Sequence, residues 1–374
     1  MTVFSQKLTY GTTYYVQNKD SWKVFTETKD FDEYIKSFPD APIICSNADH
    51  ISRVGDVLDM RIFRWVIDNH YKPKYEKIDI KTRADVDNIF KGWRSYIEGN
   101  QEIFKKQGVD LIEKSITDTE THMMIARNHH FQLNRKELFK LQEEYSVKKN
   151  LKAKMPFIEI DSSYEELEHL SKGIRYDFIA ETGKITNRGF NLARFNRKKH
   201  LELFRSDPIK KYYLVDFKQY EPTCLNYWIK DFITPDFYEL HCEKYGLDRT
   251  SFKKLFIAHI NGAGESSLGE LRNRFMTDFP QVEEFRGSLS DRLKMFDRFI
   301  QIDHSYKRLS YLNQFTAGEF LRWMHRKVYQ KEGKDFQIIW SLFDEFLIEG
   351  NPQGLIDCVN ESLPIKFELK VEQV

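Results

Sequence analysis

The stretch FQIIWSLFDEFLIEG, Phe336 to Gly350, consists of two largely apolar runs broken by one acidic pair, Asp344 and Glu345. Each run is too short for an independent helix, and both are rich in aromatic and β-branched residues. The pattern predicts strand, tight Asp-Glu turn, strand, with Asp344 at the tip of the hairpin. A chain that carries such a hairpin has to build a sheet around it. A second segment, YYLVDFKQYEP from Tyr212 to Pro222, drives four apolar or aromatic residues straight into Asp216, with Glu221 five residues later. A strand fixes its last side chain at a sheet edge, where a functional carboxylate is best held rigid.

One strand-end aspartate is most often a turn or cap residue. Two of them from two strands can hold a pair of divalent cations about 3.5–4 Å apart. Hard cations take oxygen ligands, so the expected cofactor is two Mg2+ ions, with Mn2+ as the alternative. The four cysteines, Cys45, Cys224, Cys242 and Cys358, are far apart and form neither a disulfide framework nor a zinc motif. They fit a reducing cytoplasm. The start MTVFSQKLTYGTTYY lacks a basic segment followed by an apolar run. No segment reaches the roughly 20 apolar residues of a membrane helix. The expectation is therefore a soluble, cytoplasmic protein with no membrane partner.

The 374 residues suffice for one large domain or two to three ordinary ones. With 58 Lys+Arg against 57 Asp+Glu, no global field points to nucleic acid, although a groove needs only a local basic lining. The 30 Phe and 19 Tyr are assigned mainly to packing, with base stacking as the alternative.

Residues 1 to 60 mix strand-like runs (LTYGTTYYV, WKVFTE, APIICSN) with one helix, DFDEYIKSF. The lysine-rich HYKPKYEKIDIKT, with Pro73, reads as a connector. From Arg83 to Lys154 apolar residues recur three or four apart, predicting helices whose last one carries Lys148, Lys149, Lys152 and Lys154, a candidate phosphate-contacting cluster. His129 and His130 have no metal-ligand spacing and are assigned to packing or surface. After Met155 strands and helices alternate to the end. In GLDRTSFKKLFIAHINGAG, Gly246 to Gly264, Asp248 is the expected N-cap of a helix ending at Asn261-Gly262. Arg249, Lys253 and Ile257 share one helical face, two cations followed by an apolar surface, which suits a nucleoside triphosphate. An ordinary amphipathic helix gives the same pattern when taken alone.

Taken together and in order, these segments resemble the family A DNA polymerases, the group of the bacterial repair polymerase and related phage replicative enzymes. DFKQYEP is similar to motif A, keeping Asp216, Gln219 and Glu221. RTSFKKLFIAHING is similar to motif B through Arg249, Lys253 and Gly262, and LFDEFLIE to motif C through Asp344 and Glu345. ETGKI, Glu181 to Ile185, resembles the primer-contacting segment, and NQFTAGEFL, Asn313 to Leu321, the helix that touches the primer-template minor groove. The ordered set covers residues 175 to 350.

The resemblance implies an α+β fold shaped as a right hand. A helical thumb would span residues 80–170 and an antiparallel palm 171–235 and 301–374, with helical fingers at 236–300. Asp216 and Asp344 would hold the metals, with Glu345 beside them in the catalytic group. Arg249, Lys253, Ile257, Glu221 and Gln219 would bind the nucleotide, with Glu221 beneath its sugar as the gate against ribonucleotides. A glutamate merely salt-bridged on the following helix is the alternative for Glu221. Lys184, Asn261, Gly262 and Gln314 would meet primer or template.

Phe343 stands where the family has His, Lys184 where it has Arg, Ile257 where it has Phe or Tyr, and Asn261 where it has Tyr. Pro222 and Thr223 replace its Leu-Arg. Residues 1 to 60 faintly resemble the opening of the family's proofreading exonuclease, but SNAD, Ser46 to Asp49, lacks the carboxylate pair. They are expected to be a small appendage or an eroded remnant without nuclease activity.

The expected activity is template-directed extension of a primer with deoxynucleotides. Its partners are primer-template DNA, dNTPs and other replication proteins. A single-subunit RNA polymerase or reverse transcriptase, and a catalytically dead module that binds primer-template junctions, stay open as alternatives.

Overall fold

The computed structural model describes residues 1–8, 11–18, 21–38, 42–46, 57–71, 83–155, 157, 159, 162–167, 174–178, 182–331 and 335–374. Most of the expected connector after His70, residues 47–49 of the SNAD segment, and Glu181 lie outside them. Thirteen strands, β1 to β13 in chain order, occur among the described residues. No helix among them is long and apolar enough to cross a membrane. The chain forms two compact units. One is Met1–Met124 with Ile179–Gly183 and Leu289–Arg308; the other is Ile125–Phe178 with Lys184–Ser288 and Leu309–Val374.

The first unit is larger than the appendage expected from residues 1 to 60. Strands β1 (Thr2–Leu8), β2 (Gly11–Asn18), β3 (Ser21–Phe25), β4 (Ile43–Cys45) and β5 (Val57–Asp59) make one sheet in the order β3-β2-β1-β4-β5. The first three are antiparallel, whereas β4 runs parallel to β1 and β5 to β4. The strand-like run LTYGTTYYV thus straddles two strands rather than forming one. The amphipathic helix Thr28–Lys36 buries Phe31 and Ile35, and Phe31 stacks on Tyr14 at 4.0 Å. Met123, from the helix Leu111–Asn128, joins the same core, which carries the unit well past position 60.

The hairpin β9 (Arg292–Met295) and β10 (Arg298–Gln301) belongs to this unit and not with the helices that precede it. Specific bonds explain the grouping. Arg298 donates to Asp118 at 2.9 Å and lies 3.7 Å over the Trp65 ring. Lys294 donates to the carbonyls of Gln107 and Gly108, and Asn69 exchanges two hydrogen bonds with the backbone of Gln301. Buried charges persist only when paired in this way.

The second unit is built on an antiparallel sheet in the order β11-β12-β8-β13. Its strands are β8 (Tyr212–Phe217), β11 (Phe336–Leu342), β12 (Glu345–Gly350) and β13 (Leu369–Gln373). Gly350 ends the hairpin at φ +98°, where a Cβ would lie 2.4 Å from the Asp335 carbonyl oxygen. A short antiparallel pair, β6 (Ile174–Asp177) and β7 (Thr186–Gly189), accompanies the sheet. The 24-residue helix Arg308–Lys331 is buried along most of its length. Its charged pair Glu319–Arg322 is buried with it, and Trp323 donates to Glu319 at 3.0 Å.

The phenylalanine-rich composition resolves into packing. Phe237, Phe256 and Phe279, with Phe232, Phe252 and Phe275, form one aromatic cluster at centroid separations such as 4.7 Å for Phe237–Phe256 and 5.1 Å for Phe256–Phe279. It joins the helices Phe237–Tyr245, Arg249–Ile260 and Leu271–Asp278, whose exposed faces are charged.

His129 is a packing residue, as expected. Its ring stacks on Tyr176 at 3.6 Å, and its Nε2 lies 2.8 Å from the Ser341 hydroxyl. Burial pulls the His325 pKa down to about 3 and holds that of His129 well below its ordinary value. Both therefore stay neutral in the fold but protonate near pH 6.5 when unfolded, so the stability present above about pH 6.5 is lost as the pH falls. Melting temperature should drop steeply between about pH 7 and pH 5. Replacing His325 by Gln should flatten that slope, and parallel pH profiles for the two proteins would remove His325 as its cause.

Candidate active site

Three acidic residues are set by the register of two strand pairs. Asp216, one residue from the end of β8, lies opposite Glu345 on β12 and opposite Lys370 on β13. Direct cross-strand partners share one face of a sheet. Asp344 follows from the turn, and its carbonyl accepts from the Phe217 N–H at 3.1 Å.

The turn differs from the expected Asp-Glu pair. Leu342 pairs with Glu345, so Phe343 and Asp344 are its two central residues, and Glu345 already belongs to the returning strand. Phe343 carries φ +54° and is 46% exposed. A positive φ at the first central residue alone is the pattern of a type II′ turn, whose hand matches strand twist and whose usual first residue is glycine.

The acids differ in how they are satisfied. Glu345 is buried and receives Arg197 Nε and Lys198 Nζ, each at 2.7 Å. Asp216 and Asp344 enter no ion pair among the described residues. Burial pushes the Asp344 carboxyl up to about 6, and the charges of Asp216 and Glu221 add to that. Asp216 is raised as well, first by burial and then by Glu345, while Lys198, Lys253 and Lys370 oppose the shift. Two raised carboxylates on one edge make a site short of positive charge.

No group of three or more His, Cys, Asp or Glu side chains suited to a metal occurs among the described residues. A Mg2+ ion needs no such cage, because it is commonly held by one or two carboxylates, with waters and substrate phosphates completing the shell. The hard oxygens of Asp216 and Asp344, in no ion pair among the described residues, fit that requirement. Glu345, already paired with two cations, fits it less well.

The helix Arg249–Ile260 begins as expected. Asp248 caps it, accepting from Thr250 and Ser251 N–H at 2.9 and 3.0 Å. Arg249 is paired with Glu239 and lies 5.4 Å over the Tyr238 ring. Lys253 is exposed and has no ion pair among the described residues, and its charge acts on both Asp216 and Asp344. Ile257 is half-buried. Asn261 closes the helix, and Gly262 leaves it at φ +80°. Gln314 is half-buried and donates to Ser310 at 3.3 Å. Among the described residues, Asn261, Gly262 and Gln314 show only such local contacts.

Gln219 connects β8 to the helix Tyr220–Cys224 at φ +53°. Its amide nitrogen donates to the Pro235 carbonyl at 2.6 Å, so in this conformation it braces a neighbouring loop rather than facing a ligand. Tyr220 fastens the same helix through its hydroxyl, which donates to the Ala317 carbonyl at 2.6 Å. Glu221 is ion-paired with Lys184.

Three features escaped the sequence reading. Arg197 and Lys198 lie in the basic run RFNRKKH, a visible signal with nothing in it to name Glu345 as the partner. Lys370 left no signal, because its place opposite Asp216 depends on strand register. Tyr238 is fully buried, and its hydroxyl has no hydrogen-bond partner among the described residues.

No family model and no curated protein matches the sequence. Among solved structures, the chain is similar to one described as the POL domain of Pol1 from M. smegmatis in complex with DNA primer-template and dNTP. The TM-score is 0.75 and the identity 11%, over 100% of this chain and 94% of that one. At this identity the likeness establishes the fold, a mixed helix-and-sheet polymerase fold with an antiparallel palm sheet.

Asp344 yields a test that needs no substrate. Because its folded pKa lies near 6 and its unfolded value near 3.9, the fold loses stability as pH rises between them and the buried carboxyl ionises. In metal-free buffer at neutral pH, Asp344→Asn should therefore melt higher than wild type, and the difference should vanish at about pH 4. A lower melting temperature for Asp344→Asn at neutral pH would show that the carboxylate is not held at a cost.

Proposed function

We propose that the chain is a template-directed DNA polymerase that extends a primer with deoxynucleotides by nucleotidyl transfer. The observation that carries this reading is the pair Asp216 and Asp344, in no ion pair among the described residues, on one edge of a polymerase-fold palm sheet. Primer-template DNA and dNTP are what the structural neighbour holds, and on this reading they are the partners here.

Two Mg2+ ions on these carboxylates would supply Lewis-acid stabilisation of the attacking and leaving oxygens. The chain's own residues do the rest. Lys253, in no ion pair among the described residues and with its charge acting on both aspartates, would neutralise the triphosphate, and Arg249 would join it by exchanging Glu239 for a phosphate. Ile257 offers an apolar surface one turn further on, and Glu221 stands under the sugar. Gln219 and Tyr220 keep Glu221's short helix fixed.

A primer-extension assay tests the reading on DNA and RNA templates with deoxynucleotides and then ribonucleotides. Extension should occur with deoxynucleotides on DNA, require a divalent cation, and fall by several orders of magnitude in Asp216→Asn or Asp344→Asn while primer-template binding persists. Lys253→Ala should lower nucleotide incorporation about tenfold or more, the loss of one charge-assisted contact. Extension only with ribonucleotides or only on RNA would move the assignment to the corresponding relative. Junction binding without any extension would leave a dead module.

A further inference from the structure

Glu221 lies in the first turn of a helix that is fastened at the two residues preceding it, by the side chains of Gln219 and Tyr220. Its side chain is less constrained, being 30% exposed, and Lys184 is its one hydrogen-bond partner among the described residues. Lys184 comes from the segment just before β7, and its ammonium lies 6.0 Å from the centre of the Phe343 ring. Three separate pieces of chain thus meet at one ion pair: the lead-in to β7, the helix after β8, and the β11–β12 turn.

From this geometry we infer that Lys184 is the positioning residue for sugar selection, holding the Glu221 carboxylate in the place where it excludes a 2′-hydroxyl. The inference rests on the polymerase reading above and names a residue that sets its specificity. Its physical basis is the mismatch between a fixed backbone and a free side chain. A glutamate has three rotatable bonds, and on an immobile helix turn its carboxylate goes where its partner holds it.

Among the described residues no other side chain hydrogen-bonds the Glu221 carboxylate. Glu221's charge bears on Asp344 and on the buried Tyr238 hydroxyl, whose pKa is raised mainly by burial. Without Lys184, therefore, nearby negative charge would push the carboxylate outward toward water. The Phe343 ring bounds Lys184 on one side and restricts where the ammonium can stand. A gate works only within narrow limits, since a displacement near 1 Å can change a rate about a hundredfold. A purely structural ion pair at this exposure would contribute little to stability and nothing to the choice of sugar.

The test is the ratio of kcat/KM for a deoxynucleotide to that for its ribonucleotide, on a matched primer-template. It is measured for wild type, Lys184→Met, Lys184→Arg, Glu221→Gln, and the double variant Lys184→Met/Glu221→Gln. Lys184→Met and Glu221→Gln should each lower the ratio by about tenfold or more. The double variant should lose no more than the larger single, because both changes remove the same interaction. Lys184→Arg should recover part of the ratio by restoring the charge.

An unchanged ratio in Lys184→Met, beside a collapse in Glu221→Gln, overturns the role of Lys184 while leaving Glu221 as the gate. Multiplying effects in the double variant overturn it too, by showing that the two residues act independently. If Lys184→Met fails to fold, the Lys184→Arg and Glu221→Gln ratios still decide: a ratio in Lys184→Arg as low as in Glu221→Gln counts against positioning by charge. A wild-type protein that extends no primer with either sugar sinks the polymerase reading itself, a result distinct from all of these.

Discussion

The register between β8 and β12 is the constraint on which the site depends. Pairing Asp216 with Glu345 and Leu214 with Leu347 sets the acids at the end of a face that is apolar further along, while Val215 and Phe346 are buried on the opposite face. Because side chains alternate, a slip of one residue would turn Asp216 to the opposite face, where Val215 and Phe217 are buried. Burial of Tyr212, Leu214, Trp340 and Leu347 in one core opposes that slip, so the hydrophobic effect fixes where the charges stand.

Given that register, the site separates its acids by what each receives. Glu345 has two cations at hydrogen-bond distance, and removing both would leave a buried charge uncompensated, a defect that typically costs about 3–5 kcal/mol. Asp216 and Asp344 receive none and are pushed toward their neutral forms. The fold alone gains nothing from two such carboxylates. Their presence is the kind of local conflict that marks a functional edge.

The sequence made the second unit legible where local pattern and tertiary role coincide. The β8 strand ends at its aspartate region, the Asp248 cap opens its helix, and the helix stops at Asn261-Gly262, each dictated by a side chain or backbone preference a few residues away. The first unit was harder. Residues 1 to 60 contain every strand of its sheet, but its boundary is set by Met123 reaching that sheet's core and by Arg298 reaching Asp118, 180 positions apart. Spacing and composition carry no record of such long-range bonds. Glu221's partner was illegible for the same reason, since Lys184 is 37 residues away and comes from another segment.

The β11–β12 turn shows where pattern reading and physics part. Two acidic residues between apolar runs invite an Asp-Glu turn, since polar residues favour turn positions. The fold places an aromatic residue in the turn instead, at a positive φ that costs a non-glycine residue of order 1–3 kcal/mol. Three bonds outweigh that cost by locking the hairpin one residue earlier. Glu345 must sit in β12 to reach Arg197 and Lys198, and the Asp344 carbonyl must stay on the Phe217 N–H. Moving the turn forward to Asp344-Glu345 would carry Glu345 out of its buried pairing and break the alignment with Asp216. The strained Phe343 follows from putting three acids in their places, and it leaves an exposed ring beside Lys184, next to the edge where Asp216 and Asp344 lie.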